Sequence, residues 1–258
     1  MATCKVCDEP LLLEIEDEEG GGEVQSVPDD LELSCGCHFH WQCLLDQASE
    51  VGVSLKCPSC QAQIATNPAG PSVTNPYFFA ASGARIPTRY HNEGGLQEDL
   101  DILPEITEEA YLAGNPEARP ARAYHVMCSE GDVNGIVELL RDLSQDAGDE
   151  PSMNTTQLLR YQDPLNGSKS GLHLAVERAQ DEVVWLLLWL ASPLSTEFFP
   201  AAAVQQAQIM DIQRPTTTRD QDIRLLQDHS GQTAESVAAS MDGIWTITLQ
   251  AKVLNPGT

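Results

Sequence analysis

Two patterns of apolar residues divide this chain. In the second half, leucine, valine and isoleucine return every three or four residues, in Ile136-Val137-Glu138-Leu139-Leu140, Leu172-His173-Leu174-Ala175-Val176 and Val183-Val184-Trp185-Leu186-Leu187. That period matches one face of an α-helix and predicts paired amphipathic helices. Trp185 and Trp189, four apart, fall on one helical face and read as core or as a contact between helix pairs. The first half has no such period. Its apolar residues come in short bursts, Leu11-Leu12-Leu13 with Ile15 and then Leu44-Leu45, and the first burst is expected to pack on the local core. Between the halves, residues 66–120 alternate proline, glycine and acid from Asn67-Pro68-Ala69-Gly70-Pro71 onward. Such punctuation predicts an irregular connector, with an apolar island at Tyr77-Phe78-Phe79 and one short helix near Glu105 to Leu112.

The chemistry lies between Cys4 and Cys60, in the order Cys4-x2-Cys7, Cys35-x-Cys37, His40-x2-Cys43, Cys57-x2-Cys60. Thiolates and imidazoles clustered in this way are the donors of tetrahedral zinc, and eight of them suffice for two closed sites. A disulfide framework is not expected, because Met1-Ala2-Thr3-Cys4 leaves no room for the apolar core of a signal peptide. The long first loop, Asp8 to Ser34, carries Glu14, Glu16, Asp17, Glu18 and Glu19 before Gly20-Gly21-Gly22. Its acids lack the spacing of a calcium loop, so the tip reads as a solvated excursion.

The middle segment Cys35-Gly36-Cys37-His38-Phe39-His40-Trp41-Gln42-Cys43 and the final Cys57-Pro58-Ser59-Cys60 resemble a cross-braced RING finger. The resemblance implies that the first and third ligand pairs share one zinc ion and the second and fourth the other. One site would then be Cys4, Cys7, His40 and Cys43, and the second Cys35, Cys37, Cys57 and Cys60. His38 is the substitute for Cys37, which stands where the family has its first histidine. The same resemblance implies a short helix over Leu44 to Ala48, and a ubiquitin ligase that holds a ubiquitin-charged conjugating enzyme in a reactive geometry without a nucleophile of its own. The positions matching the family's contact surface are Val6, Leu44, Leu45 and Pro58, with Gln61 at the bridging position after the last ligand. Two departures stand out: Gln47 replaces a tryptophan common in ligases, and Gln61 replaces an arginine or lysine. A non-catalytic adaptor is therefore the alternative reading. A PHD-type histone reader is a third, which places four or five residues between its fourth and fifth ligands where this chain has Cys37-His38-Phe39-His40.

The helical half resembles degenerate ankyrin repeats. Tyr124-His125 through Gly131 to Leu140, Gly171-Leu172-His173-Leu174-Ala175 through Leu187, and an eroded Asp228-His229-Ser230-Gly231-Gln232-Thr233-Ala234 each have the shape of a turn, a helix and a second helix. His125 and His173 fall at the repeat's opening histidine, whose implied role is to hydrogen-bond neighbouring backbone. They are farther apart than the usual period of about 33 residues, so insertions at 142–166 and 191–227 are expected as long loops. Cys128, outside the zinc cluster, is expected to pack as a small apolar side chain rather than to carry ubiquitin as a thioester. The expected architecture is a small zinc-stabilised α+β RING domain over 1–65, the connector over 66–120, and an all-α ankyrin-like domain over 121–258 that recruits a protein substrate.

Composition narrows the partners. The 258 residues carry a formal net charge of −25, a field that repels phosphate backbones and disfavours nucleic acid while favouring basic protein partners. The longest apolar run, Val183 to Leu190, falls short of the roughly 18 residues of a membrane span. Reduced zinc thiolates and high acidity point to the cytoplasm or the nucleus.

Overall fold

The computed structural model describes residues 2–16, 24–66, 83–145 and 153–257, which form two compact units, 1–116 and 117–258. The acidic glycine tip of the first loop, the linker 67–71 and the island Tyr77-Phe78-Phe79 lie outside the described residues.

In the first unit, β1 (Leu12–Glu16) and β2 (Val24–Pro28) form an antiparallel ribbon. Among the described residues of this ribbon and its base, Leu12, Leu13 and Ile15 are exposed, while Leu11 and Val27 are buried. The expectation that the whole Leu11–Leu13 burst packs inward is thereby corrected. β3 (Asp30–Leu33) alternates half-buried and buried residues, the mark of a strand with one face on a core. It lies between β4 (His38–Phe39) and β5 (Pro87–Asn92), and β6 (Gly95–Asp101) completes an antiparallel sheet of order β4-β3-β5-β6.

Leu31, Leu33 and Phe39 from this sheet meet Leu44, Ala48, Val51 and Leu55 of two short helices, α1 (Trp41–Leu45) and α2 (Ala48–Ser54). The helix expected over Leu44 to Ala48 is thus broken at Asp46-Gln47 and continues beyond it. Against α2 lies α3 (Leu103–Gly114), which starts with Pro104 in its first turn, where the ring's missing N–H costs nothing. Asp101 joins this helix to the sheet, its Oδ1 accepting from Leu103 N (3.2 Å) and Ile86 N (2.8 Å). Gly52 permits the close approach of α2 and α3: a Cβ there would sit 3.3 Å from the Ala110 Cβ. The helix expected near Glu105 to Leu112 is present as α3, and residues 87–101, expected as irregular connector, form two strands; both belong to the first unit's own core. The apolar side chains of α3 explain why: Leu103, Ile106 and Ala110 are buried against α1, α2 and the sheet.

The second unit is built from helix pairs: α4 (Arg119–Glu130) with α5 (Val133–Gln145), α7 (Gly171–Glu177) with α8 (Asp181–Ala191), and α10 (Ala234–Ser240) with α11 (Thr246–Gln250). The first helices stack, α4 on α7 and α7 on α10. Gly131 at φ +87 turns the chain between α4 and α5, a left-handed conformation that glycine adopts without penalty. The stretch expected as a loop over 142–166 contains α6 (Thr155–Leu159) and the first strand of a small hairpin, β7 (Gln162–Asp163) with β8 (Lys169–Ser170). That over 191–227 contains α9 (Ala201–Ile209), which packs on α8. Covered by α5, α6 and α7 as well as by α9, α8 is apolar nearly all round. Arg224, fully buried in the same insertion, pairs with the equally buried Asp222 and donates to Val253 O (3.1 Å) and Asn255 O (2.9 Å), tying the insertion to the end of the chain.

His125 and His173 are both buried, and each reaches the backbone of the next turn. His125 Nε2 lies 3.3 Å from Tyr161 O, and His173 Nε2 lies 3.0 Å from Gln232 O. The hairpins before successive helix pairs are themselves linked, His229 N donating to Gly167 O at 2.7 Å. Burial, with the Arg122 and His173 charges adding to it against the Tyr161 carbonyl, pulls His125 down from 6.5 to about 4, and burial lowers His173 as well. Between pH 6.5 and 4 the unfolded chain then binds more protons than the folded one, so stability falls as pH falls through that window and the loss is complete below about pH 4. The shift of His125 corresponds to about 3 kcal/mol. Protection factors of amides in α4 and α7, corrected for the pH dependence of intrinsic exchange, are expected to fall between pH 7 and pH 4.5, and less so in His125→Gln; equal acid sensitivity of the two proteins would exclude His125 as the cause.

Candidate metal centre

Two short clips, remote in sequence, share one backbone pattern. In the first, Cys4 O accepts from Asp8 N (3.0 Å) and Cys4 N donates to Glu9 O (2.9 Å). In the second, Cys57 O accepts from Gln61 N (2.9 Å) and Cys57 N donates to Ala62 O (2.9 Å). Asp8 and Gln61, each following the second cysteine of its clip, both take a left-handed conformation, and antiparallel bridges Thr3 to Pro10 and Lys56 to Gln63 close the two turns. Nothing but Cys-x2-Cys is common to the two segments, so the shared geometry belongs to the presentation of paired thiols.

Each clip meets one half of the central segment. Cys4, Cys7, His40 and Cys43 gather at one point and Cys35, Cys37, Cys57 and Cys60 at another, the donor atoms of each group all lying within 4.8 Å of one another. Gly36, at φ +78, makes the tight turn between β3 and β4 that brings Cys35 and Cys37 together, with Gly36 N donating to Leu33 O (2.8 Å). His40 follows β4 as the N-cap of α1 and Cys43 lies in α1, so one turn of helix sets their spacing.

The geometry fits zinc. Metal–ligand distances of roughly 2.3 Å to sulfur and 2.0 Å to nitrogen place tetrahedral S and N donors about 3.5 Å apart. His40 Nδ1 lies 3.3 Å from Cys7 Sγ and 3.7 Å from Cys43 Sγ. The other ring nitrogen, Nε2, donates to Pro10 O at 2.8 Å, which fixes the tautomer and leaves the Nδ1 lone pair for a metal. The backbone N–H of His40 also donates to Cys4 Sγ (3.4 Å). Every one of the eight cysteines is free of disulfides.

The thiols themselves call for a cation. Burial, and then the neighbouring thiols of Cys60, Cys35 and Cys57, push Cys37 up to about 12; burial with Cys4 and Cys7 does the same to Cys43. Burial opposes ionisation of Cys4 too, but the backbone N–H groups of Cys7, His40 and Val6 outweigh it and bring the thiol down to about 7. The N–H of Ala62 likewise lowers Cys60 to about 7. Thiolates crowded this closely ionise together only around a positive charge. Both groups can therefore hold a metal ion, in a manner compatible with a zinc finger.

Cys37, not His38, joins the second group. His38 points instead to Asp30, its Nδ1 2.7 Å from Oδ1, on the neighbouring strand. Of the surface residues anticipated from the sequence, Val6 stands in the first clip and is 43% exposed, Gln61 is exposed beyond the second clip, and Leu45 and Pro58 are half-buried. Leu44 is 0% exposed, a core residue beneath α1, and cannot meet a partner. Two supporting groups escaped sequence reasoning. Pro10 acts through its carbonyl, which no side chain advertises. Asp29, buried, accepts from Trp41 N (3.2 Å) and the Tyr90 hydroxyl (2.9 Å), holding the start of α1 against β5, and its partner is remote in sequence.

Cys128 is buried in the second unit, where burial pushes its thiol up to about 12 against the opposing effect of the Tyr124 hydroxyl. A protonated thiol with no exposure is packing, not a nucleophile. Among the described residues, no helix is long and apolar enough to cross a membrane. Comparison with protein-family models, curated proteins and solved structures finds no match to this chain.

Proposed function

We propose that this chain is a RING-type ubiquitin ligase whose first unit positions a ubiquitin-charged conjugating enzyme and whose second unit, a degenerate ankyrin-like repeat, recruits a protein substrate. The observation that carries the reading is the interleaving of the ligands: the first pair joins the third and the second joins the fourth. Cysteine spacing favours the RING over the PHD reader, with only two residues between Cys37 and His40. Zinc, when bound, supplies structure: it ties the two clips to the central segment. The protein's own contribution is then placement, because a bound thioester held near a lysine reacts faster without any new acid or base. Val6, Leu45 and Pro58 supply the accessible apolar contact, with Gln61 beside the last ligand offering hydrogen bonds but no charge.

The ankyrin-like reading draws support from the stacked helix pairs, from the hairpins that precede them, and from the two histidines that hydrogen-bond to the following turn. The alternative of a non-catalytic adaptor rests on Gln47 and Gln61, which stand where many ligases place tryptophan and a cation.

A discharge assay with a panel of ubiquitin-charged conjugating enzymes decides between them. Val6→Arg puts a charge into an apolar contact on an exposed turn that the fold does not need. It is expected to reduce discharge at least tenfold while zinc content stays unchanged. Discharge by no member of the panel would leave the adaptor, and full activity in Val6→Arg would move the contact elsewhere.

A further inference from the structure

The insertion 191–227 builds something the repeats alone would not. Helix α9 lies along α8, and between them runs a groove of about 260 Å³ whose walls include Val133, Trp185, Trp189, Phe199, Ala203 and Met210. Its aromatic wall is tightly set. Phe199 meets Trp185 at 5.7 Å and Trp189 edge-on at 5.4 Å, and Trp189 Nε1 donates to Ile212 O. Arg214 already lies over Trp189 and Phe199, 5.3 and 5.0 Å from their ring centres, so this aromatic pair accepts a guanidinium. At one end the lining turns acidic, with Asp181 and Glu182 in the first turn of α8. Neither has an ion-pair partner among the described residues, and both are exposed. Two arginines that touch residues beside the groove are committed to carbonyls: Arg141 donates to Met210 O, and Arg214 to Ser192 O and Leu194 O.

We infer that this groove binds a basic segment of a protein partner, with a lysine or arginine whose alkyl stem lies along the tryptophan rings and whose charge meets Asp181 and Glu182. Size supports a side chain over a free ligand, since pockets for small molecules run to about 300–1,000 Å³. Sign supports a cation, since the lining contributes two carboxylates, while Arg214, over the aromatic wall, donates to the Ser192 and Leu194 carbonyls, in a chain of net charge −25. Stem and charge are satisfied together, as a long cationic side chain covers apolar surface while its head stays wet. The site deepens the recruiting role proposed for the second unit and rests on that reading, but it relocates recognition to α8 and the inserted helix.

The test is selection of random dodecapeptides on the full zinc-loaded chain, with affinities of the enriched peptides measured by calorimetry. The expected result is a consensus pairing lysine or arginine with an apolar neighbour. Ala202→Arg, on an exposed position of α9 that lines the groove, should weaken binding at least tenfold without changing the unfolding midpoint. The double variant Asp181→Asn, Glu182→Gln should weaken it similarly and flatten its salt dependence. Enrichment of peptides without basic residues, absence of any enriched peptide, indifference to both variants, or a dimer that occupies the groove and is broken by Ala202→Arg would each overturn the inference. Ubiquitin discharge needs only the first unit. Failed peptide binding with intact discharge therefore removes the groove and spares the ligase, and the reverse result does the opposite.

Discussion

Chelation is expected to unfold the first unit and leave the second standing. Structural zinc contributes roughly 10–16 kcal/mol per site in small zinc-finger peptides, as much as the whole stability of an ordinary domain, about 5–15 kcal/mol. Here the ligands are also core: Cys4 and Cys57 are completely buried among Leu31, Phe39, Leu44 and Ile64. Removal of the metals unties the two clips from the central segment and leaves buried thiols without the bonds that held them, so the sheet, α1, α2 and α3 should lose protection together. The second unit contains only Cys128 and, among the described residues, no cluster of donors. Elemental analysis should find two zinc ions per chain, and hydrogen exchange after chelation should show protection lost in β3 and β5 but kept in α7 and α8. One zinc or none in fresh protein, or a protected β3 after chelation, would end the two-site reading.

Arg224→Met is expected to destabilise the second unit by about 3–5 kcal/mol, the cost of leaving a buried charge without its partner. Asp222 and Arg224 are both fully buried, and the guanidinium contacts the carboxylate through Nε and Nη2 at 2.9–3.1 Å. Arg224 also donates to the carbonyls of Val253 and Asn255, which methionine cannot replace. Pairing the change with Asp222→Leu removes the stranded charge but not those orphaned carbonyls, so the double variant should recover part of the loss. Urea unfolding followed through Trp245, whose indole donates to Val176 O within this unit, reads the effect. An unchanged midpoint in Arg224→Met would show that the pair is dispensable.

The two donor clusters were legible because metal geometry writes itself into spacing: two residues between thiols make a clip, and clips are local. The helix pairs were legible for a similar reason, since Ile136, Val137 and Leu140 repeat within two turns of one helix. What stayed hidden was set by contacts between distant segments. β5, Pro87–Asn92, begins with proline and mixes polar residues, and β6 carries Glu98, Asp99 and Asp101 with a glycine at its start, so neither advertises a strand. Both are strands because β3 offers a pairing edge and Ile86 a buried anchor. Likewise the apolar Leu44-Leu45 burst did not reveal which leucine is covered. That depends on α3, whose Leu103 and Ile106 share the core with Leu44, many residues away.

The late pairing of β3 with β5 also sets an order of events at the ribosome. All eight ligands have emerged once Cys60 is clear of the exit tunnel, so both metals can be captured then. The surface of Ala48, Val51 and Leu55 is covered only after residues 61–114 have followed. At roughly 5–20 residues per second, synthesis of that stretch takes about three to eleven seconds. For that interval a nascent chain that has taken up metal is still greasy on one side, and an abundant zinc supply does not shorten it. Vulnerability to premature association during biosynthesis is thus set by translation speed through the second hairpin and α3, not by the metal.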